Sequence, residues 1–122
     1  MKTRILLFAH GARDPRWSAP LERLAEVVRS GDASVEVGLA FLEFMPPSLP
    51  DAIAQAVGQG VAHIRVVPVF LAAGGHVKRD LPQMIELARQ NHPELVIELA
   101  PVLGEDEGVI AAMAAAIRKA NA

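Results

Sequence analysis

Three side chains in this sequence have the chemistry to bind a metal ion or to accept a proton: His10, Glu43 and His76. Each of them follows a run of apolar residues that has the length and composition of a β-strand. Neutral imidazole and carboxylate groups suit Co²⁺, Ni²⁺ and Fe²⁺, and both can accept a proton during catalysis. The three positions lie too far apart to form a local metal motif, so only the fold could bring them together. The chain has no cysteine, which excludes thiolate metal sites and disulfides.

The two histidines open segments of similar sequence. Arg79 and Asp80 follow His76 with the spacing by which an arginine and an aspartate follow His10. We interpret both aspartates, Asp14 and Asp80, as helix caps rather than as catalytic acids. The basic side chains of the two segments are Arg13, Arg16, Lys78 and Arg79. Each candidate also has an ordinary interpretation: a histidine at a strand end can be a packing residue, and a carboxylate or a basic group can simply be solvated.

Two glycines, Gly74 and Gly75, immediately precede His76. They do not match the phosphate-binding patterns G-x-G-x-x-G or G-x-x-x-x-G-K-[ST]. Without a side chain, glycine lets the backbone come close to a bound group. We therefore expect these glycines to allow the close approach of a large, flat ligand.

Four apolar segments predict β-strands. Ile5–Ala9 and Ile64–Leu71 are nearly continuous apolar runs, as expected for strands that are buried on both faces. Val35–Phe41 alternates apolar residues with small or charged ones, which is typical of an edge strand. Leu95–Val102 contains Glu98 and is predicted to form the opposite edge.

Four helical patterns alternate with these strands. Asp14 and the proline after it predict the first helix, and residues 48–51 resemble a capping box that begins the second. Asp80 precedes the third apolar pattern, and the acidic residues 105–107 place negative charge at the start of the fourth. Trp17 and Met84 could line a ligand pocket, but because they stand at helical spacing we interpret them as core residues.

This alternation predicts an α/β fold with three layers, in which helices cover both faces of a four-stranded parallel sheet. With the second and fourth strands at the edges, the strand order is 2-1-3-4, a flavodoxin-like arrangement. The helices after strands 1 and 3 then leave to opposite faces, and ligands bind at such a switch point, beyond the carboxyl ends of the strands. His10, Glu43 and His76 are predicted at this edge. His63 and His92 are predicted at the opposite edge, as surface residues.

The composition fits one globular domain, residues 1–122. Hydrophobic residues make up 52% and charged residues 21% of the chain, and the net charge is −2, which argues against nucleic-acid binding. The longest uncharged apolar stretch, Val66–Gly75, is about half of the ~20 residues that a membrane-spanning helix needs. The apolar run near the N-terminus is too short for a signal peptide, so we expect a cytoplasmic protein without membrane contact.

Several segments resemble the sirohydrochlorin chelatases. These are residues 6–15 (LLFAHGARDP), residues 67–82 (VPVFLAAGGHVKRDLP), and the shorter stretches 40–43 (AFLE) and 47–50 (PSLP) between them. The likeness extends over essentially the whole chain. The length matches the short form of the family, in which one chain corresponds to half of a two-lobed chelatase. One difference is that Ala12 stands where many relatives have serine.

The resemblance implies the insertion of a divalent metal, most typically cobalt, into the tetrapyrrole sirohydrochlorin on the route to cobalamin. Position by position, His10 and His76 correspond to the metal-binding histidines of the family, and Glu43 falls near a carboxylate beside them. All three are therefore candidate catalytic residues. The metal is a substrate, and no organic cofactor is expected. The residues expected to bind the carboxylate-rich macrocycle are Arg13, Gly74, Gly75, Lys78 and Arg79.

Alternatives remain open. Insertion of iron, for sirohaem, or of nickel would use the same types of ligand. A non-catalytic carrier of metal or tetrapyrrole could use the same pocket, and a flavodoxin-like nucleotide or flavin binder is consistent with the fold alone. We expect a homodimer, because one short domain is small for enclosing a tetrapyrrole, the mean hydropathy is +0.28 and the two-lobed relatives suggest a twofold pair.

Overall fold

Four parallel strands form one sheet in the order β2-β1-β3-β4, which confirms the predicted topology. The structure is a computed structural model that describes residues 2–121. Its strands are β1 (Thr3–Ala9), β2 (Glu36–Phe41), β3 (His63–Pro68) and β4 (Val96–Leu99). The third strand ends at Pro68 rather than at the predicted Leu71, because proline has no N–H group with which to continue the ladder.

The helices are α1 (Ala19–Gly31), α2 (Leu49–Gly58), α3 (Gly75–Asn91) and α4 (Glu107–Ala120). Two of the predicted caps, Asp14 and Ser48, are present, and a third cap, Asp106, lies in the segment predicted to place negative charge at the start of the last helix. The Ser48 hydroxyl accepts a hydrogen bond from the Asp51 amide at the start of α2, and the Asp106 carboxylate accepts two amide hydrogen bonds at the start of α4. Asp14 caps a short 3₁₀ turn, Pro15–Ser18, that leads into α1.

The third helix differs from the prediction. It begins at Gly75, with Gly74 as its N-cap, so Asp80 lies inside the helix and is not a cap. Two adjacent glycines are typical of a loop, but the first helical positions tolerate glycine because their N–H groups lack helical partners in any case. As a result His76 lies on the first turn of α3 rather than in a loop. Pro82 is also inside this helix.

The apolar core lies on both faces of the sheet. On one face Phe8 and Leu6 of β1 pack with residues of α2 and α3, including Ile53 and Ile85. On the other face the buried side chains belong to β1, β2 and α1 and include Leu7, Leu21, Ala25 and Phe41. Full burial of one large aliphatic or aromatic side chain stabilises a fold by about 1.5–3 kcal/mol. The strand ends that carry the candidate site therefore project from a firmly packed base.

Helix α4 does not complete the second helical layer. None of its described residues is buried, and its contacts are chiefly with the 3₁₀ turn Leu103–Glu105. Ile110 and Ile117 of this helix are 41% and 70% exposed. Helix α1 is therefore the helix that covers this face of the sheet. Helices lie on both faces of the sheet, as predicted, but only one half of this face is covered.

Three side chains differ from the prediction in their exposure. Trp17 is 42% exposed and lines an apolar cavity with Leu21 and Val69, because the 3₁₀ turn lies beyond the end of the sheet; its assignment to the core was wrong. His63 and His92 were predicted as surface residues, yet both are half-buried.

Within residues 2–121, no helix has the length and apolarity needed to cross a membrane.

Candidate functional site

A cavity of about 360 Å³ lies at the carboxyl ends of β1 and β2, beside the first turns of α3. It brings together the three side chains that the sequence singled out, His10, Glu43 and His76. Apolar side chains form the rest of the wall together with one further carboxylate. The lining residues are Phe8, His10, Leu42, Glu43, His76, Val77, Asp80, Leu81 and Met84. Ligands of parallel α/β sheets bind at such a switch point, as the topology predicts.

The first part of the site joins the loops that follow β1 and β2. The Glu43 amide donates a hydrogen bond of 3.0 Å to the His10 carbonyl oxygen. Gly11, with φ of 92°, allows this approach, because a Cβ atom there would collide with the Glu43 carbonyl oxygen. The two loops thus hold Nε2 of His10 3.0 Å from Oε1 of Glu43. Glycine is therefore required at position 11 so that the two loops can pack, and their packing holds His10 next to Glu43.

The second part of the site lies on α3. Nε2 of His76 is 3.0 Å from Oδ2 of Asp80, one helical turn further along, and Nδ1 is 2.9 Å from Nη2 of Arg79. Residues three and four apart lie on one face of a helix, so the three side chains meet. The His76 side chain is 80% exposed and that of His10 is 53% exposed, so an incoming ligand can reach both rings.

The cavity is therefore bordered by two histidine–carboxylate pairs of equal length. Glu43 accepts a hydrogen bond from Nε2 of His10, which fixes the orientation of that imidazole and leaves its other ring nitrogen for a metal ion. Within residues 2–121, no group of three or more histidine, aspartate or glutamate side chains is close enough to hold a metal ion. The arrangement can present imidazole and carboxylate groups to one ligand from two sides.

The five residues expected to bind substrate surround the cavity without lining it. Gly74 and Gly75 form the cap and the first residue of α3, and Lys78 is exposed on that helix. Arg79 is occupied by His76 and Asp80. Arg13 is exposed, and its guanidinium carbon lies 4.9 Å from the centre of the Phe44 ring.

The neighbouring Arg16 has a structural role. The Arg16 guanidinium donates two hydrogen bonds to the Asp14 carboxylate, of 3.1 and 3.0 Å. These contacts hold the pKa of Asp14 below its ordinary value. Arg16 therefore braces the 3₁₀ turn and is not a free charge at the rim of the cavity.

Two residues near the cavity were not identified from the sequence as functional candidates. Asp80 was interpreted as a cap, although its position four residues after His76 would have placed both on one helix face once α3 was known to begin at Gly75. Phe44 has a φ of 69°, which is unusual for a residue with a side chain, and it is 54% exposed beside Arg13. No sequence pattern signals this backbone conformation.

A larger cavity, of about 540 Å³, lies at the opposite end of the sheet. It is bordered by the segment Asn91–Leu95 and by residues near the end of α2. His92 and Glu94 are the titratable residues among those that line it. Because ligands of parallel sheets bind beyond the carboxyl ends of the strands, we assign the candidate site to the smaller cavity.

The sequence profile of the CbiX family matches residues 4–120. The chain belongs to the CbiX family. Among curated relatives, it is 40% identical over 88 residues to the sirohydrochlorin cobaltochelatase of Methanocaldococcus jannaschii; the match covers 72% of this chain and 62% of that protein. Across the first curated matches, the chain spans about three fifths of the length of the relative.

Two solved structures extend the comparison. The cobalamin biosynthesis CbiX protein of Marinobacter aquaeolei VT8 is 36% identical, with a TM-score of 0.83 over 96% of this chain and 95% of that one. The sirohydrochlorin chelatase SirB of Bacillus subtilis subspecies spizizenii, in complex with cobalt, is 28% identical with a TM-score of 0.81. That match covers 98% of this chain and 51% of SirB. This CbiX-family chain thus has the fold of about half of the longer chelatase.

Proposed function

We propose that this chain inserts a divalent metal, cobalt in the first place, into sirohydrochlorin. The observation that carries the proposal is that two histidine–carboxylate pairs border one cavity at the switch point of the sheet. Membership of the CbiX family and the names of its relatives support this substrate. The metal is consumed as a substrate, and no organic cofactor is included in the proposal.

Metal insertion replaces two pyrrole protons of the macrocycle by one divalent ion, so two protons must leave. His10 and His76 would hold the metal through neutral ring nitrogens while the macrocycle supplies its own nitrogens. Glu43, at 3.0 Å from the His10 ring, is the candidate proton acceptor. A few protein ligands leave coordination positions open for the substrate, as in catalytic metal sites.

The basic side chains around the cavity would bind the carboxylates of the macrocycle. Arg13, three residues after His10, and Lys78, two residues after His76, are exposed, and Arg79 is on the same helix face as His76. Arginine can bind a carboxylate through two parallel hydrogen bonds. The glycines at the start of α3, Gly74 and Gly75, would let the flat ring approach the helix end.

The proposal is tested by mixing the purified protein with Co²⁺ and sirohydrochlorin and following the absorption spectrum of the macrocycle. We expect the spectrum to change faster than in a control without protein, and the rate to scale with protein concentration. A rate equal to that of the control, with metal and tetrapyrrole both bound, would instead support the carrier function. Parallel reactions with Fe²⁺ and Ni²⁺ establish which metal is inserted fastest.

The second part of the proposal is a homodimer that acts in the cytoplasm. Helix α4 presents apolar side chains at positions 109, 110, 113 and 117 without being buried, and the sheet face beside α1 is only partly covered. An apolar helix face and an apolar sheet face in one chain can cover each other between two copies.

Light scattering tests the dimer, with an expected mass of twice 13.0 kDa. Ile117→Glu should reduce that mass to the value of a monomer, because the charge would have to be buried in the interface. Ala115→Glu, on the opposite side of α4, is the matched control and should leave the dimer intact. A monomeric mass for the unaltered protein at micromolar concentration, with insertion activity retained, would contradict the assembly.

A further inference from the structure

Arg13 and Phe44 form a contact between the two loops that carry His10 and Glu43. The Arg13 guanidinium carbon lies 4.9 Å from the centre of the Phe44 ring, within the distance of about 6 Å at which a ring face attracts a cation. Phe44 directly follows Glu43, and Arg13 comes three residues after His10. Neither side chain lines the cavity, but each follows a residue that does. The contact therefore lies beside the His10–Glu43 pair.

The backbone of Phe44 is in an unfavourable conformation. Its φ of 69° lies in the left-handed region, where the Cβ atom of a bulky residue is crowded by the backbone. Among residues 2–121, Phe44 is the one residue besides glycine with a positive φ. Since Phe44 is 54% exposed, packing in the core does not explain an aromatic side chain at this position. Strained backbone of this kind is often found at ligand-binding sites.

The Arg13 guanidinium has donors that no carboxylate of the chain uses. Arg16 and Arg79, which belong to the same two histidine segments, form ion pairs with Asp14 and Asp80. Within residues 2–121, Arg13 forms no ion pair, and its guanidinium instead lies over the Phe44 ring. A ring face attracts the cation but offers no oxygen atom, so the N–H donors of Arg13 stay available for an anion.

We propose that Phe44 is a positioning residue that holds Arg13 ready to bind a carboxylate at the periphery of the macrocycle. This step rests on the proposed function, which supplies a substrate with acidic groups around its ring. A long arginine side chain loses rotamer freedom when it binds a ligand. Because the Phe44 ring already restricts the guanidinium, less of this freedom is lost when the carboxylate arrives. An arginine stacked on a ring can still form two parallel hydrogen bonds to a carboxylate.

The place of the contact agrees with this role. If the centre of the macrocycle lies between His10 and His76, its outer carboxylates must find partners beyond the residues that line the cavity. Arg13 and Phe44 lie in the loops that extend past His10 and Glu43. Because Phe44 acts on the affinity for the ring and not on the metal, its loss should raise the KM for sirohydrochlorin and leave kcat unchanged.

Equilibrium titration with metal-free sirohydrochlorin tests the inference without using activity. Arg13→Met should weaken binding about tenfold, the effect of one hydrogen-bonded charge pair. Phe44→Leu should weaken it about threefold, the effect of a cation–ring contact at an exposed site, and Phe44→Trp should restore it. In Arg13→Met, the addition of Phe44→Leu should have no further effect, because the ring acts through Arg13.

Two variants and one altered ligand are the controls. Arg23→Met removes one positive charge from an exposed position on α1, and Leu87→Ala removes an apolar side chain that is 55% exposed on α3. Both should keep the affinity of the unaltered protein. Sirohydrochlorin with its carboxylates esterified should bind equally well to the unaltered protein, to Arg13→Met and to Phe44→Leu.

Phe44→Gly separates positioning from stability. Glycine adopts a positive φ without crowding, so the melting temperature should not fall, while the affinity for sirohydrochlorin should fall about threefold as in Phe44→Leu. A lower melting temperature with an unchanged affinity per folded molecule would show that the ring only stabilises the loop, and it would overturn the inference.

The remaining outcomes distinguish this inference from the proposed function. The expected affinities, together with no metal insertion by the unaltered protein, would overturn the function and retain the inference. Insertion with an unchanged KM in Arg13→Met and Phe44→Leu would retain the function and overturn the inference. A full effect of Phe44→Leu in the Arg13→Met background would also overturn it, since the ring would then contact the macrocycle itself.

Discussion

The segments that begin at His10 and at His76 contain the same pattern, His-x-x-Arg-Asp, but in the folded chain they use it differently. In the first, a loop after β1, the histidine pairs with Glu43 from the loop after β2 and the aspartate caps a 3₁₀ turn. In the second, a helix, the histidine pairs with its own aspartate. The comparison shows that backbone conformation, and not spacing alone, selects the partner of each histidine.

The two histidine–carboxylate pairs also differ in the structural elements that each one requires. The His10–Glu43 pair depends on contacts between two loops and on the positive φ of Gly11, whereas the His76–Asp80 pair requires only one helical turn. A pair between loops is sensitive to any shift of the strands that carry them. A pair within a helix is preserved as long as that helix forms.

The largest effect is expected from removing either imidazole. His10→Ala and His76→Ala should each lower the rate of cobalt insertion by at least about 100-fold, because removal of a ligand should exceed the loss of a group adjacent to one. The double variant should be little slower than either single one, since groups that act together fail together. Single-turnover rates per folded molecule provide the measurement.

His63→Ala and His92→Ala, at the far end of the sheet, are the controls for these variants. Both should keep the insertion rate of the unaltered protein, even if their half-buried positions lower the melting temperature. Normal rates for His10→Ala or His76→Ala, together with reduced stability, would show that the histidine concerned only packs at its strand or helix end.

The next effect concerns the glycines of the two segments. Gly11→Ala should lower the free energy of unfolding by about 2 kcal/mol, since a side chain at positive φ costs about 1–3 kcal/mol. The added Cβ would also press on the Glu43 carbonyl oxygen and move that carboxylate from His10. Chemical denaturation and the insertion rate should therefore change together.

Gly75→Ala is the matched variant in the helical segment. A Cβ atom at this position would have no atom of another residue within 4 Å, apart from its chain neighbours and nearby helix backbone. The stability should stay unchanged or rise by at most about 1 kcal/mol, the difference in helix propensity between glycine and alanine. Equal losses for Gly11→Ala and Gly75→Ala would contradict the distinction between the two segments.

A smaller effect is expected from the carboxylates. Glu43→Gln and Asp80→Asn keep the size of each side chain but replace a charge-assisted hydrogen bond with a neutral one. Each should slow insertion about tenfold, as changes beside metal ligands do. If Glu43 is also the proton acceptor, its variant will be the slower of the two while Co²⁺ binding persists. A normal rate for Asp80→Asn would remove Asp80 from the site.

The smallest effect is expected for a third pair, the ion pair between Arg4 and Glu36, which are neighbours on adjacent strands. Arg4 donates hydrogen bonds of 3.0 and 2.8 Å to Glu36, and these hold the pKa of the Glu36 carboxyl below its ordinary value. A lowered pKa contributes stability above the unfolded value, and the contribution is lost as the pH falls through the folded value. Glu36→Gln should therefore lose less stability than the unaltered protein when the pH falls below ~4.3.

Melting temperatures at neutral and acidic pH measure this contribution. Glu26→Gln, at an exposed position in the middle of α1, is a suitable control, because among residues 2–121 this carboxylate forms no ion pair and it lies outside the first helical turn. This variant should leave the acid-dependent loss unchanged. An acid-dependent loss in Glu36→Gln equal to that of the unaltered protein would show that the ion pair does not contribute.

The sheet could be predicted from the sequence because its strands are marked by apolar runs and its helices by polar caps. Ser48 and Asp106 are side chains whose preference for the N-cap is strong, and both perform that task. The strand order then followed from identifying the edge strands. Since parallel strands end at one edge, His10 and Glu43 were expected on the same side of the sheet, and they lie there.

The details of the site could not be predicted in the same way. Gly74 and Gly75 are weak helix formers, so the first turn of α3 was not recognised and Asp80 was assigned as a cap. The exposure of Trp17 and of α4 depends on which faces are covered by other elements, and helical spacing alone does not contain that information.

Because of Pro82, the first turns of α3, which carry His76, can unfold separately from the rest of the helix. Proline has no amide hydrogen, so the carbonyl of Lys78 loses its bond to residue 82 and the helix is weakest at this junction. The segment before the junction can therefore open without the rest of α3, at a free energy below that of global unfolding. We therefore expect the amides of Lys78 and Arg79 to exchange hydrogen with solvent faster than those of Leu87 and Ala88. The end of the helix that faces the cavity can adjust to a ligand while the packed end stays fixed.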